Sequence, residues 1–173
     1  MRALALVALA VAAPALAGNA GVIFNTSGAY AVGPSGPATA RFQVDHPTGA
    51  HAVLTPSQSI GEGDFNWLQI PLTLPVSDDA GRVAGVSVCF RTNSPTGSAW
   101  ISQTRLVQQM SPGPSTVVFD DGTDHMDPVG GCYTATVPGG LVPGGVVQLN
   151  LKVVMNVGDT IEVTGGFLRM TPR

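Results

Sequence analysis

Residues 67–91 read WLQIPLTLPVSDDAGRVAGVSVCFR, and their apolar spacing decides the fold. Leu68, Ile70, Leu72 and Leu74 alternate with Trp67, Gln69, Pro71 and Thr73. Val86, Val88 and Phe90 alternate with Gly85, Ser87 and Cys89. Successive side chains of a strand point to opposite faces, so each run predicts a strand with one buried face. Between them, PVSDDAGR is rich in turn formers. The stretch therefore predicts two adjoining strands of one sheet, joined by a short polar loop. Pro71 falls on the outward face of its strand. Proline cannot donate to a ladder, so that strand is a candidate sheet edge.

The pattern continues towards the C-terminus. NSPTGS at 93–98 turns the chain, and AWISQTRLVQQM then carries the β-formers Ile101, Thr104 and Val107. STVVFD and CYTATV are short strands on either side of the polar loop DDGTDHMDPVGG, and PGGLVPGG reads as a turn-rich linker. Val147, Leu149, Leu151 and Val153 alternate with Gln148, Asn150, Lys152 and Val154, the clearest strand in the chain. Ile161 and Val163 follow after MNVGD, and Gly165-Gly166 predicts a bulge or kink before Phe167.

Upstream, the chain is less regular. VIFNTSGAYAVG reads as a first strand and PSGP as a break. ATARFQV and HAVLT read as weaker strands around the turn DHPTGAH. Residues 18–63 are thus expected to form an added hairpin or a partly ordered arm on a core spanning 64–173. Short strands separated by Gly/Pro turns, with no convincing helix, predict an all-β fold: an antiparallel β-sandwich, or jelly-roll-like single domain.

The chain opens MRALALVALAVAAPALAGNA, with a basic Arg2, a short apolar run and a small-residue Ala15-Leu16-Ala17 site. Residues 1–17 read as a secretory signal peptide. A membrane-spanning helix needs roughly 20 apolar residues, and Pro14 interrupts this run, so no integral membrane anchor is expected. A transmembrane β-barrel needs aromatic girdles, for which six Phe, two Trp and two Tyr are few. The mature protein is expected to be secreted or periplasmic. Abundant Ala and a preference for Arg over Lys point to a bacterial source. The formal net charge is −3 with a single lysine, Lys152, so no nucleic-acid partner is expected.

The run LQIPLTLPVSDDAGRVAGVSVCFR resembles the strand, acidic-glycine turn and strand of β-sandwich domains in uncharacterised exported bacterial proteins and some phage appendages. The likeness covers residues 68–91, with a comparable strand order towards the C-terminus. It implies a β-sandwich and brings no activity or catalytic residues.

Cys89 and Cys132 are the only cysteines, and after export they are expected to pair. Both fall opposite the inward residues of their strands. The bridge closes a loop of about 44 residues, contributing on the order of 4 kcal/mol in the chain-entropy view.

Four carboxylates, Asp120, Asp121, Asp124 and Asp127, stand in one glycine-containing loop and offer hard oxygen ligands to Ca²⁺. The spacing is not that of an EF-hand, and a solvated turn is the competing reading. His125 lies inside the loop. His46 and His51, with Asp45, flank a Pro-Gly turn and offer a zinc or acid–base pair. Trp67 and Trp100, with Tyr30 and Tyr133, are candidate platforms for sugar rings; burial at the sheet margins is the alternative.

No nucleophile elbow, zinc-protease, P-loop or dinucleotide motif is present. Glu62 and Glu162 are the only glutamates, and nothing in the sequence places them together as a glycosidase pair. The sequence thus predicts an exported, non-catalytic β-sandwich with a binding or structural role, its partner a glycan or further copies of itself. The alternative is a secreted, calcium-dependent hydrolase of an extracellular polymer.

Overall fold

A computed structural model of the chain describes residues 21–74, 81–95, 97–110, 113–142 and 144–171. The expected signal peptide at 1–17 lies outside the described residues, as do residues 75–80 of the polar loop PVSDDAGR.

The strands are β1 (Gly21–Phe24), β2 (Tyr30–Val32), β3 (Phe42–Asp45), β4 (Ala52–Pro56), β5 (Trp67–Leu72), β6 (Arg82–Asn93), β7 (Trp100–Gln109), β8 (Thr116–Asp121), β9 (Gly131–Leu141), β10 (Val146–Val154) and β11 (Thr160–Thr171). One sheet runs β3-β4-β11-β6-β9, with β1 also paired to β11. The other runs β2-β5-β10-β7-β8. All of these pairings are antiparallel. The chain is the all-β sandwich that its alternation predicts.

The core lies between the inner faces. On the five-stranded sheet, Leu68, Ile70 and Leu72 stand opposite Leu151, Leu149 and Val147. On the six-stranded sheet, Val86 stands opposite Leu168 and Phe90 opposite Val163. All of these side chains are buried. Each fully buried Leu or Ile contributes on the order of 2 kcal/mol of transfer free energy.

Two expectations about β5 are corrected. β5 and β6 are not neighbours in one sheet: β5 belongs to the five-stranded sheet and β6 to the six-stranded one. The polar loop between them therefore connects the two layers. Alternation shows that a strand has one buried face, but the inner faces of both layers carry the same Leu/Val/Ile pattern. Nor is β5 an edge, since it lies between β2 and β10. However, β2 spans only three residues and its pairing ends at Tyr30↔Gln69. Pro71 lies beyond that point, where only β10 pairs with β5.

The N-terminal segment contributes to both layers. VIFNTSGAYAVG divides into β1, on the six-stranded sheet, and β2, on the other. β3 and β4 form a hairpin added to β11. The linker PGGLVPGG is partly strand, since β9 runs on to Leu141. The bulge expected at Gly165-Gly166 is present, as a register shift between Val163 and Gly165. Here β11 exchanges β4, paired at 161–163, for β1, paired at 166–169. Gly165 adopts φ 121°, and a Cβ there would meet the Phe24 carbonyl oxygen at 2.5 Å. Only glycine lets β1 approach this closely.

Candidate functional site

The outer face of the five-stranded sheet is built by register. Tyr30 stands opposite Gln69, Gln69 opposite Asn150, Asn150 opposite Arg105, and Arg105 opposite Asp120. This row crosses all five strands at the outward positions of the alternation. The adjacent row runs Val32, Trp67, Lys152, Gln103. On the other side lie Pro71, Gln148, Val107 and Val117.

These side chains hold one another. Arg105 Nη2 lies 2.9 Å from Asp120 Oδ2, and Gln103 Nε2 donates to Asp120 Oδ1 at 2.6 Å. Gln148 Nε2 donates to Tyr30 Oη at 2.8 Å, and Lys152 Nζ donates to the Glu62 carbonyl at 2.7 Å. Beneath them, Asn150 Oδ1, Trp67 Nε1 and Arg105 Nε have no hydrogen-bond partner among the described residues.

The aromatic residues divide. Trp67 lies on the outward side of its strand yet is only 3% exposed. The Arg105 guanidinium covers its ring at 4.7 Å, and Phe65 packs edge-on at 5.7 Å between centroids. Phe65 is 49% exposed and Tyr30 40%. Trp100 stands opposite Val154 at the end of β7, partly buried, its Nε1 without a partner among the described residues. Tyr133 points inward, where its hydroxyl meets Thr104 Oγ1 at 2.6 Å and burial holds its pKa above the ordinary value.

The structure does not gather the four aspartates. Asp120 and Asp121 are consecutive strand residues and face opposite sides. Asp120 is tied to Arg105 and Gln103, while Asp121 Oδ1 accepts from Thr123 N and Oγ1, which lowers its pKa. Asp127 Oδ1 accepts the backbone N–H groups of Val129 and Gly130. No group of three His, Cys, Asp or Glu side chains converges as a metal cage among the described residues. That adjacent aspartates in STVVFDD diverge is implied by strand geometry once the strand is extended to Asp121.

His125 stacks on Tyr133, with centroids 3.5 Å apart and planes at 9°. Its backbone pairs with Ile101 in both directions. His46 and His51 are engaged separately: His46 contacts the carbonyls of His51 and Ala29, and His51 contacts Thr48 Oγ1 and Glu162. Glu162 lies on β11, whereas the Glu62 carbonyl meets β10 of the other sheet.

Cys89 and Cys132 form a disulfide directly across β6 and β9. It faces outward on the six-stranded sheet, in a shallow cavity of about 380 Å³. The charged groups there, Arg91 and Glu162, are paired with each other at 2.6 Å. The five-stranded face differs: it carries four amides, of which Asn150 is buried, a guanidinium, an ammonium and two exposed rings. Of these, sequence reasoning missed Phe65, Gln69, Gln103, Arg105, Gln148, Asn150 and Lys152. Their signal was the run of amides at outward positions of β5 and β10.

No protein-family model matches the sequence, and no curated protein matches it significantly. Solved structures are similar in fold. One described under "CBM4 structure and function" superposes with a TM-score of 0.53 at 13% identity, over 84% of this chain and 86% of that one. The "xylan-binding module CBM15" superposes with a TM-score of 0.52 at 12% identity, over 88% of this chain and 97% of that one. These likenesses establish the β-sandwich architecture.

Proposed function

We propose that the protein is an exported, non-catalytic module that binds a polysaccharide on the outer face of its five-stranded sheet. The observation that carries this is the outward row Tyr30, Gln69, Arg105 and Asp120, laid over the buried Asn150, with exposed rings at Tyr30 and Phe65. Sugars present hydroxyl groups that both donate and accept, and amide side chains answer both roles. Sugars also present apolar C–H faces, which stack on exposed aromatic rings. The face lies on a rigid sheet, so little ordering is required on binding. The fold shared with a module described as xylan-binding supports a glycan over other ligand classes. The disulfide fits an oxidising compartment and thereby supports export.

The test is affinity electrophoresis of the oxidised protein through gels containing soluble polysaccharides, xylans included. Wild type should be retarded by at least one polymer. The double variant Tyr30→Ala/Phe65→Ala should run as in the blank gel while keeping the circular dichroism spectrum of the folded protein. Equal mobility of wild type in every gel overturns the proposal.

A further inference from the structure

Resting on that reading, the charges of the face point to the class of sugar. Lys152 is the only lysine of the chain, and the register places it among the outward residues, between Trp67 and Gln103. Its head group donates to the Glu62 carbonyl at 2.7 Å, which fixes its position. An ammonium has three donors, so two remain. Among the described residues, no carboxylate lies within ion-pair distance of Lys152; the ion pairs are Arg41–Asp64, His51–Glu162, Arg91–Glu162 and Arg105–Asp120. The one carboxylate of the row, Asp120, is already engaged by Arg105 and Gln103. The face therefore holds one positive charge that no carboxylate pairs at ion-pair distance among the described residues, in a chain whose formal charge is −3.

We propose that this face selects an anionic saccharide, with Lys152 meeting the acidic group and the neighbouring amides meeting the hydroxyls. The acidic group is a uronate carboxylate or a sulfate ester, either of which an ammonium binds as a point charge. A charge-assisted hydrogen bond discriminates by about tenfold or more.

Isothermal titration with oligosaccharides of equal length tests this: one neutral, one of uronates, one sulfated. At low salt the wild type should bind the uronate or the sulfated ligand at least about tenfold tighter than the neutral one. High salt should narrow the gap. The variant Lys152→Gln should abolish the preference, and Lys152→Arg should restore it. Arg82→Gln, which removes a charge from the other sheet, should leave the preference intact. Equal affinity for all three ligands in the wild type overturns the inference and leaves glycan binding standing. Binding of none of them overturns the inference and counts against the proposed function too.

Discussion

The guanidinium carbon of Arg105 stands 4.7 Å from the centre of the Trp67 ring, which it reaches across the intervening strand β10. The contact explains how a large aromatic occupies an outward strand position and remains buried. The cation lies over the negative face of the indole, and Asp120 anchors its far side. Phe65 closes the edge of the indole.

Arg105→Ala should therefore uncover the indole. In a Trp100→Phe background, which leaves Trp67 as the only tryptophan, its emission should shift to the red and become open to iodide quenching. The loss of the stack should lower stability by about 1 kcal/mol. Arg105→Lys should not restore the covered state, because an ammonium lacks the planar surface that stacks on a ring. Unchanged emission in Arg105→Ala would show that Phe65 alone shields Trp67.

Replacing the disulfide by Cys89→Ser/Cys132→Ser should lower unfolding free energy by about 4 kcal/mol. The bridge joins two strands of the six-stranded sheet, away from the proposed binding face. Glycan affinity below the melting transition should then be unchanged. A parallel loss of affinity in the folded variant would place the ligand on the other sheet.

Acid should weaken the fold through His125. Burial holds its pKa below the ordinary 6.5, with Asp121 and Asp124 pulling the other way. Folding thus favours the neutral ring. The stability this contributes is complete above the unfolded pKa and is lost as pH falls from 6.5 towards the lower folded value. His125→Phe keeps an aromatic stack on Tyr133 but cannot titrate. Denaturant midpoints across the range from pH 8 to pH 5, on the order of one unit to either side of the histidine range, should slope for wild type and flatten for this variant. Equal slopes would assign the acid sensitivity to other groups.

The strands of the core were legible because Leu68, Ile70 and Leu72, and then Val147, Leu149 and Leu151, repeat with the period of the pleat. The disulfide was legible because two cysteines sat at outward positions of separate strands. Layer membership was not legible: the inner faces of β5 and β6 look alike, and a turn-rich loop serves a hairpin or a crossover equally well. The cover over Trp67 was hidden for a related reason, since Arg105 comes from a strand that is not a neighbour of β5. The amides at Gln69, Gln148 and Asn150 were visible only as polar positions. Their meaning depends on strand order, which brings them into one row with Tyr30 and Arg105.

The most direct test of the central claim is amide and side-chain NMR of the labelled, oxidised protein, titrated with the oligosaccharide it binds tightest. Shifts confined to Tyr30, Phe65 and the outward residues of β5, β10 and β7, with the side-chain amides of Gln69, Gln103 and Gln148 among the largest, are the predicted result. Shifts centred on the disulfide cavity or the β8–β9 loop, with this face silent, would contradict it.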